Sequence, residues 1–381
     1  MDALITPSNW QKVRLGDICE IGNGGAYETL IVENGDFKLI SLNSIDIDGN
    51  LKNTMKRVNF YDNSLKQDDI VMVLSDVAHG DFLGLCAVIP NNDYVLNQRM
   101  GRLRKKNDCI NILFLRLYIN ANQKYFKMQG QGSSQLNLSK KAIEDFEILL
   151  PSLNEQSAIA NILSDLDHYL YSLDALILKK ESVKKALSFE LLSQRKRLKG
   201  FNQAWQRVRL GDILSYEQPT KYLVATTQYL QKGFTPILTA GKTFILGYTN
   251  DKHGIYTNIP VIIFDDFTTD SKMVNFPFKV KSSAIKILSL RDNNQADLKY
   301  IYEKLTLLKH QVTDHKRYWI DEFSDFEIPL PPLNEQIAIA NILSTLDNEI
   351  TSLKNKKRQF ENIKKALNHD LMSAKIRVLK K

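Results

Sequence analysis

Two short runs of the sequence contain residue types that carry out chemistry in other proteins. The first, Gly241-Lys242-Thr243, resembles the end of a phosphate-binding loop, in which backbone N–H groups and a lysine surround the phosphates of a nucleotide. Such a loop needs another glycine five residues before Gly241, and this chain has Pro236 there. Without that glycine the backbone cannot wrap around a phosphate, so the run does not predict nucleotide binding.

The second run contains the acids and the lysine of a metal-dependent nuclease. Asp270 and Lys272 have the required acid-x-lysine spacing, and the nearest acids before them are Asp265 and Asp266. These acids lie at the end of the same predicted strand, which is too close for a metal site built across two strands. A stand-alone metal-dependent nuclease that uses Asp266, Asp270 and Lys272 therefore stays open as an alternative that the spacing disfavours.

The cysteines and histidines do not form the pattern of a metal site. Cys19, Cys86 and Cys109 are far apart without a Cys-x-x-Cys pair, and the six histidines contain no His-Glu-x-x-His run. Neither Asn-Pro-Pro-Tyr nor Asp-Pro-Pro-Tyr, the runs associated with base methylation, is present. The sequence therefore predicts no catalytic residues and no metal ligands, which favours a binding function.

Length and composition predict a soluble protein of two domains. The chain has 381 residues, of which 43% are hydrophobic and 25% charged, and its net charge is +8; a domain typically has about 100–200 residues. No apolar run approaches the ~18 residues of a membrane span, and the N-terminus does not resemble a signal peptide, so we expect a cytoplasmic protein. Most of the positive charge lies in residues 151–200 and 331–381, so net charge is weak support for a polyanion partner.

An internal repeat predicts the architecture. Residues 151–167 recur as residues 331–347 with fourteen of seventeen positions identical, and residues 10–18 recur as residues 205–213 with eight of nine identical. The segment between the matched blocks is 15 residues shorter in the second copy. A duplicated frame around two unlike middle segments predicts two recognition modules with different targets.

The second block of each copy predicts a long helix. Asn154 and Asn334 follow a proline-containing turn and are the expected N-caps, and no proline interrupts the first copy as far as Arg197. Apolar residues then recur in heptads, which predicts that the two helices pair as an antiparallel coiled coil, although each could instead pack on its own module. Lysines within the heptad seam are expected to weaken the pairing or to extend along their aliphatic stems to solvent. The predicted seam consists of Ile159, Leu163, Leu166, Leu170, Leu173, Ile177, Lys180, Lys184, Leu187 and Leu191, and of Ile339, Leu343, Leu346, Ile350, Leu353, Lys357, Phe360, Lys364, Leu367 and Leu371.

The middle segments read as strands followed by a helix, which predicts α+β modules. In the first module the predicted strands are residues 37–42, 70–74, 82–89 and 94–103, and the predicted helix is 112–128. In the second module the predicted strands are residues 235–238, 243–248, 260–264 and 276–290, and the predicted helix is 297–311.

Together these blocks resemble the specificity subunit of a type I restriction-modification system. The resemblance is carried by Trp-x-x-Val-Arg-Leu-Gly-Asp-Ile and by Phe-Glu-Ile-x-Leu-Pro-x-Leu-Asn-Glu-Gln-x-Ala-Ile-Ala, each present twice, and it covers essentially the whole chain. The segments 95–99 and 260–266 also look like target-recognition sequence. The resemblance implies two mixed α/β target recognition domains, at 1–150 and 201–330, and two long antiparallel spacer helices, at 151–200 and 331–381.

The same resemblance implies that the chain binds double-stranded DNA without catalysing a reaction. Each recognition domain would read one half of a split site, the helices would set the spacing, and two methyltransferase subunits and motor-nuclease subunits would join. S-adenosylmethionine, ATP and Mg²⁺ would be used by those partners, with no cofactor in this chain and no membrane contact. The helix residues expected to bind partners are Asn154, Glu155, Gln156, Asn334, Glu335 and Gln336.

Base readout requires side chains with paired donors and acceptors, such as arginine for guanine and asparagine or glutamine for adenine. In the first module we expect DNA contacts from Asn97, Gln98 and Arg99, then from Ser75, Asp76 and His79, and from a basic patch in which Arg102 and Arg104 share one strand face. In the second module the candidates are Lys221, Tyr222, Lys242, Asp266 and Lys272. A coiled-coil scaffold that binds only proteins remains a third hypothesis.

Overall fold

The computed structural model describes residues 10–77, 80–226, 228–239, 243–308 and 317–378. The chain divides into two compact units, the first made of Met1–Leu173 with Lys356–Lys381 and the second of Asp174–Asn355. Each unit therefore contains one module together with part of each of the two long helices.

The first unit contains eleven strands among its described residues. They are β1 (Gln11–Arg14), β2 (Cys19–Asn23), β3 (Phe37–Ile40), β4 (Arg57–Val58), β5 (Ile70–Val73), β6 (Ser75–Val77), β7 (Cys86–Val88), β8 (Tyr94–Leu96), β9 (Met100–Lys105), β10 (Gln135–Asn137) and β11 (Glu147–Leu150). An antiparallel sheet has the order β2-β9-β5-β7, and a second sheet has the order β4-β3-β8, in which β3 and β8 are parallel. The matched first block forms β1, which pairs with β11 just before the long helix.

Helices cover the first module and continue from it. They are α1 (Leu15–Ile18), α2 (Ile112–Ala121), α3 (Gln123–Gln129), α4 (Lys140–Glu144) and α5 (Leu153–Leu192), the last of which continues into the second unit. The predicted helix 112–128 is interrupted at Asn122, whose side chain donates to the Tyr118 carbonyl oxygen at 2.8 Å. The main core contains Leu15, Phe114 and Phe126 from the module.

The second unit repeats this plan. Its strands are β12 (Gln206–Arg209), β13 (Leu214–Glu217), β14 (Thr235–Leu238), β15 (Ile245–Thr249), β16 (Val261–Asp265), β17 (Ser271–Val274), β18 (Lys279–Val280), β19 (Ile285–Leu290) and β20 (Glu327–Leu330). The four-stranded sheet has the order β13-β19-β16-β17, the three-stranded sheet has the order β15-β14-β18 with β14 parallel to β18, and β12 pairs with β20. The strand orders of these three sheets match those of their equivalents in the first unit, so the predicted repeat is confirmed. The β6–β10 pair of the first unit has no equivalent among the described strands of the second.

The described helices of the second unit are α6 (Leu210–Ile213), α7 (Leu298–Leu307), α8 (Tyr318–Asp321) and α9 (Leu333–Met372). Of these, α6, α7 and α9 are equivalent to α1, α2 and α5 of the first unit. Asp297 caps α7 by accepting from the Tyr300 N–H at 2.7 Å, as Asn111 caps α2 by accepting from Phe114 at 3.0 Å. Among the helices in the described ranges, none has the length and apolar character that a membrane span requires.

The two 40-residue helices pair in an antiparallel sense within each unit. In the first unit Tyr169 packs on Phe360 with ring centroids 4.7 Å apart, and in the second unit Lys180 binds Glu349 at 2.6 Å. Partner numbers on α9 fall as numbers on α5 rise, and every predicted seam position is buried or half-buried. The predicted coiled coil is therefore confirmed.

The alternative of packing against the modules is also realised, at the helix ends. Ile159 and Leu163 of α5 and Leu371 of α9 belong to the core of the first unit, whereas Leu192 of α5 and Leu343 of α9 belong to that of the second. Each core thus contains residues from the start of one helix and from the end of the other.

The seam lysines behave differently from the expectation that they weaken the pairing or extend to solvent. Lys184 binds Asp347 at 2.6 Å and Glu303 at 3.3 Å in the second unit, and Lys364 binds Asp167 in the first. These ion pairs cross between helices, so the lysines are held by carboxylates rather than extended to solvent.

Several predicted boundaries were wrong for local reasons. The helix α5 begins at Leu153, and the Ser152 hydroxyl accepts from the Glu155 N–H at 3.4 Å, so Ser152 rather than Asn154 is in the cap position. Likewise α9 begins at Leu333, so Asn334 is already inside the first turn. The helix α5 ends at Leu192 rather than continuing to Arg197.

Two predicted strands each divide into two. The run 94–103 turns at residues 97–99 between β8 and β9, and the run 276–290 turns at residues 281–284 between β18 and β19. Apolar residues flank each turn on both sides, and both turns lie at the site described next.

Candidate nucleic-acid interface

In the first module, a polar cavity lies where the parallel strands β3 and β8 end. The N–H of Asn97 donates to the Ile40 carbonyl oxygen at 3.0 Å and that of Gln98 donates to the Gly25 carbonyl oxygen at 2.6 Å, which places the 97–99 turn beside the residues that follow β3. The cavity has a volume of about 270 Å³. It is lined by Glu28, Ser41, Leu42, Asn43, Lys56, Asn97, Gln98 and Arg99.

Asn97 is buried and holds this turn. Its Oδ1 accepts from the Tyr27 N–H at 3.1 Å, and its Nδ2 donates to Glu28 Oε1 at 2.7 Å. Glu28 in turn accepts from Lys56 at 3.3 Å. The predicted DNA contact from Asn97 stays untested, but its amide is already used within the turn.

Gln98 and Arg99 are exposed at the mouth of the same cavity. Arg99 has a φ of 69°, in the left-handed region that few non-glycine residues adopt. Gly24 lies directly behind the turn, where an added Cβ would come within 2.1 Å of the Asn97 carbonyl oxygen. The backbone therefore presents these two side chains in a defined direction.

Arg102 and Arg104 share one strand face, as alternation along β9 predicts. Both donate to the Ser64 carbonyl oxygen, at 3.1 and 3.4 Å. Arg102 also binds Glu20 at 2.6 Å, and Arg104 binds buried Asp69 at 2.8 and 2.6 Å. The hydrogen bonds to Asp69 raise the pKa of Arg104. These arginines fasten the 64–69 segment to the sheet, and their predicted DNA contacts stay untested.

The second group of candidates also has intramolecular partners. Ser75 donates to Asn137 Oδ1 at 2.6 Å, where β6 pairs with β10. Asp76 accepts from the N–H groups of Val77 and Phe82, both at 2.8 Å. His79 lies outside the described residues.

The second module has an equivalent edge at the ends of β14 and β18. The N–H of Lys281 donates to the Leu238 carbonyl oxygen at 3.0 Å, as that of Asn97 does to Ile40. Val224 donates to the Val280 carbonyl oxygen at 3.0 Å, as Gly25 does to Leu96. Lys221 and Tyr222 therefore lie on the segment equivalent to 22–25 in the first module.

Of those two residues, Lys221 is exposed and Tyr222 is tied into the module. The Tyr222 hydroxyl donates to Glu217 at 2.9 Å, and its ring packs edge-on against Tyr256. Desolvation and the hydrogen bond to Glu217 raise the pKa of Tyr222 to about 12. Lys242 lies outside the described residues.

Asp266 is buried in the second module and paired with buried Lys286 at 2.7 Å. It also accepts from the Trp319 N–H at 3.0 Å. Lys272 is exposed on β17. In the described part of the chain, no three potential ligands are grouped so as to hold a metal ion, so this geometry gives no support to the nuclease alternative.

The Leu-Asn-Glu-Gln blocks fasten each module to its long helix. Glu155 accepts from Trp10 Nε1 at 3.3 Å and from Arg377 at 2.5 and 2.7 Å. In the second unit, Glu335 accepts from Trp205 at 3.0 Å and from Arg197 at 3.1 and 2.5 Å. Both carboxylates are buried.

The two glutamines of these blocks make a second set of matched contacts. Gln156 accepts from the Asn111 N–H at 2.7 Å and donates to the carbonyl oxygens of Pro151 and Cys109. Gln336 makes the same bonds to Asp297, Pro331 and Gln295.

These four side chains are thus used within the chain, whereas Asn154 and Asn334 are exposed. The prediction of partner binding at the six residues stays untested. Sequence reasoning missed Arg197 and Arg377 as anchors, although they recur at the same 180-residue offset as the helices.

The sequence matches a known family model in both halves. The model described as "Type I restriction modification DNA specificity domain" matches residues 7–180 and again residues 202–362. The chain is 51% identical over 150 residues to the EcoR124I/EcoR124II specificity subunit of Escherichia coli, a match that covers 38% of this chain and 37% of that protein. It is 24% identical to the MjaVIII specificity subunit of Methanocaldococcus jannaschii over 99% of this chain and 95% of that protein.

Solved structures share the fold along nearly the whole chain. The S subunit of a type I restriction-modification system from M. genitalium superimposes with a TM-score of 0.67 at 18% identity, covering 96% of each chain. The HsdS subunit from Thermoanaerobacter tengcongensis has a TM-score of 0.50 at 16% identity, covering 97% of this chain and 98% of that one. Since the family model covers most of the sequence, in two copies, this chain belongs to the type I restriction-modification DNA specificity family.

Proposed function

We propose that this chain recognises DNA for a type I restriction-modification complex, with each module reading one half of a bipartite double-stranded target. The observation that carries the proposal is the pair of equivalent edges at the ends of β3/β8 and of β14/β18. Their backbone contacts agree, but one edge presents Gln98 and Arg99 and the other presents Lys281. Matched backbones with unlike side chains are what two readers of different sequences require.

The paired helices α5 and α9 act as the spacer between the half-sites in this proposal. Their seam is closed by apolar packing and by ion pairs such as Lys180–Glu349. The blocks at their starts tie each helix to a module through Glu155 and Glu335. In this proposal each helix start is fixed to the module of its own unit, and the length of the helix pair sets the spacing of the half-sites.

Catalysis belongs to partner subunits in this proposal. Two methyltransferase subunits would dock on the helices, where Asn154 and Asn334 are exposed, and motor-nuclease subunits would then join. S-adenosylmethionine, ATP and Mg²⁺ would be bound by those partners, and the assembled complex would act in the cytoplasm.

The test is reconstitution of the full chain with a modification subunit from the same genome, followed by mapping of methylated bases across a genome. The expected result is methylation at one bipartite sequence with a fixed spacer. Methylation without a defined sequence, or in a single undivided motif, would contradict the proposal. Omitting this chain from the same mixture is the control.

A further inference from the structure

We propose that Arg99 reads a guanine in the half-site of the first module and that Asn97 is the positioning residue that aims it. This inference rests on the proposed function and adds the base and the residue to it. It starts from a contrast among the arginines of the first module. Intramolecular partners hold Arg14, Arg57, Arg102, Arg104 and Arg116.

Arg99 differs from those five. In the described part of the chain its guanidinium has no hydrogen bond or ion pair, and the residue is exposed at the mouth of the 270 Å³ cavity. A guanidinium has five N–H donors in a planar fork, so this one is free to meet an external partner.

The backbone around Arg99 is tied down although its side chain is free. The Arg99 carbonyl oxygen accepts from the Leu74 N–H at 2.9 Å, and the N–H of Gln98 donates to the Gly25 carbonyl oxygen at 2.6 Å. The Asn97 side chain also holds the turn, by accepting from the Tyr27 N–H and donating to the Glu28 carboxylate. The backbone of this turn therefore loses little conformational freedom on binding, and only the side chain of Arg99 has to be ordered.

Guanine is the base that fits such a group. In the major groove its O6 and N7 are adjacent acceptors, and a bidentate arginine matches both. Adenine presents a donor at N6, which a guanidinium repels. If Arg99 bound a phosphate instead, it would show no base preference. Replacing Arg99 would then weaken binding equally at all sequences, whereas loss of a guanine contact would relax specificity at one position.

The second module has no counterpart of this arginine. Ala284, whose carbonyl oxygen accepts from the Asp266 N–H at 3.1 Å, is in the position of Arg99. The inference therefore concerns one position in one half-site only.

The experiment uses the full chain assembled with its modification subunits, and compares methylation maps of the wild type, Arg99→Ala, Arg99→Lys and the control Arg14→Ala. Alanine has a Cβ as arginine does, so the left-handed backbone is equally strained in both. We expect Arg99→Ala to relax one G·C position in one half-site, by on the order of 5- to 150-fold in discrimination. Arg99→Lys should also relax this position, and Arg14→Ala should leave the map unchanged.

Two outcomes would overturn the assignment. An unchanged motif in Arg99→Ala would show that Arg99 reads nothing, and equal loss of methylation at every sequence would make it a phosphate contact. If the wild-type complex itself methylated no bipartite sequence, the proposed function would fail before this question arose.

The positioning role of Asn97 has a separate test. Asn97→Asp puts a carboxylate against Glu28 where an amide now donates, so the turn should loosen and the same G·C position should relax. Adding Glu28→Gln restores a donor between the two side chains and should restore the motif. Rescue with unchanged thermal unfolding supports positioning; relaxation at other positions, or no rescue, contradicts it.

Discussion

The two modules share the same backbone hydrogen bonds but have different side chains at the equivalent positions. At the edge of the parallel strands, the bonds from Asn97 to Ile40 and from Lys281 to Leu238 have the same length, 3.0 Å. In the separate four-stranded sheet, a Cβ added to Gly101 would come within 2.9 Å of the Leu74 side chain. At the equivalent place the second module has the buried ion pair Asp266–Lys286. The frame is therefore held by main-chain bonds that tolerate new side chains.

The contacts that anchor each module to its long helix are made by side chains, and these side chains are the same in both copies. Glu155 and Glu335 each bind one tryptophan and one arginine, and both are buried. Side chains make these contacts, and the two copies have the same residue types there. This contrast explains why the repeat is strongest in the blocks that join modules to helices and weakest in the reading segments.

The largest effect should come from breaking an anchor. Glu335→Leu would leave the Arg197 guanidinium and the Trp205 N–H without their buried acceptor, and should cost about 3–5 kcal/mol of unfolding free energy. Glu155→Leu is the matched variant and should cost the same within about 1 kcal/mol, as measured by urea unfolding. A cost below about 1 kcal/mol in either variant would contradict the equivalence of the two anchors.

A smaller effect should come from making the second sheet resemble the first. The double variant Asp266→Leu with Lys286→Met replaces the buried ion pair by apolar side chains. It should cost only about 1–2 kcal/mol, because the Trp319 N–H loses its acceptor while no unpaired charge remains. Asp266→Leu alone leaves a buried ammonium and should cost about 3 kcal/mol. Equal destabilisation by the single and double variants would show that the pair is not the important contact.

The smallest effect concerns a lysine that only the second unit has. Lys304 donates to the Leu192 carbonyl oxygen at 2.6 Å, and desolvation lowers its pKa to about 8 from an ordinary value of 10.5. At pH values between about 8 and 10.5, Lys304 is protonated in the unfolded chain and largely neutral in the folded one. The free energy of unfolding therefore rises with pH across this window, and this contribution is lost as the pH falls through about 8.

The free energy of unfolding is measured with urea for the wild type and for Lys304→Met at pH values from about 8 to 10.5. The difference between the two proteins at each pH reports on this group. The difference should grow in favour of the wild type as pH rises. The equivalent residue of the first unit is Tyr118, so Tyr118→Phe should show no such trend over the lower half of this range. A difference that is flat or falls with pH would contradict the lowered pKa.

Much of this fold could be predicted because it follows from periodic patterns. Heptads such as Leu163–Leu170–Ile177 predicted the coiled coil, and duplicated blocks predicted the repeat. The turns at residues 97–99 and 281–284 could not be predicted, because apolar residues flank them on both sides and tertiary bonds to Ile40 and Leu238 hold them. The helix caps were missed because Ser152 satisfies a donor that Asn154 was expected to satisfy.

The candidate site was predicted in part. The run Asn97-Gln98-Arg99 was chosen for its chemistry, and the structure places it at the polar cavity. Which of the three side chains is free depends on Glu28 and Tyr27, which are distant in sequence, so residue types alone could not separate the buried amide from the exposed guanidinium. At Arg104, likewise, the sequence alone could not show that the guanidinium is paired with Asp69.

Replacing residues 1–150 by the corresponding module of another family member, then mapping methylation by the assembled complex, tests the central claim most directly. Because each module would read its own half, the account predicts that one half-site changes while the other half-site and the spacer length stay the same. A change in both half-sites, or in neither, would contradict it.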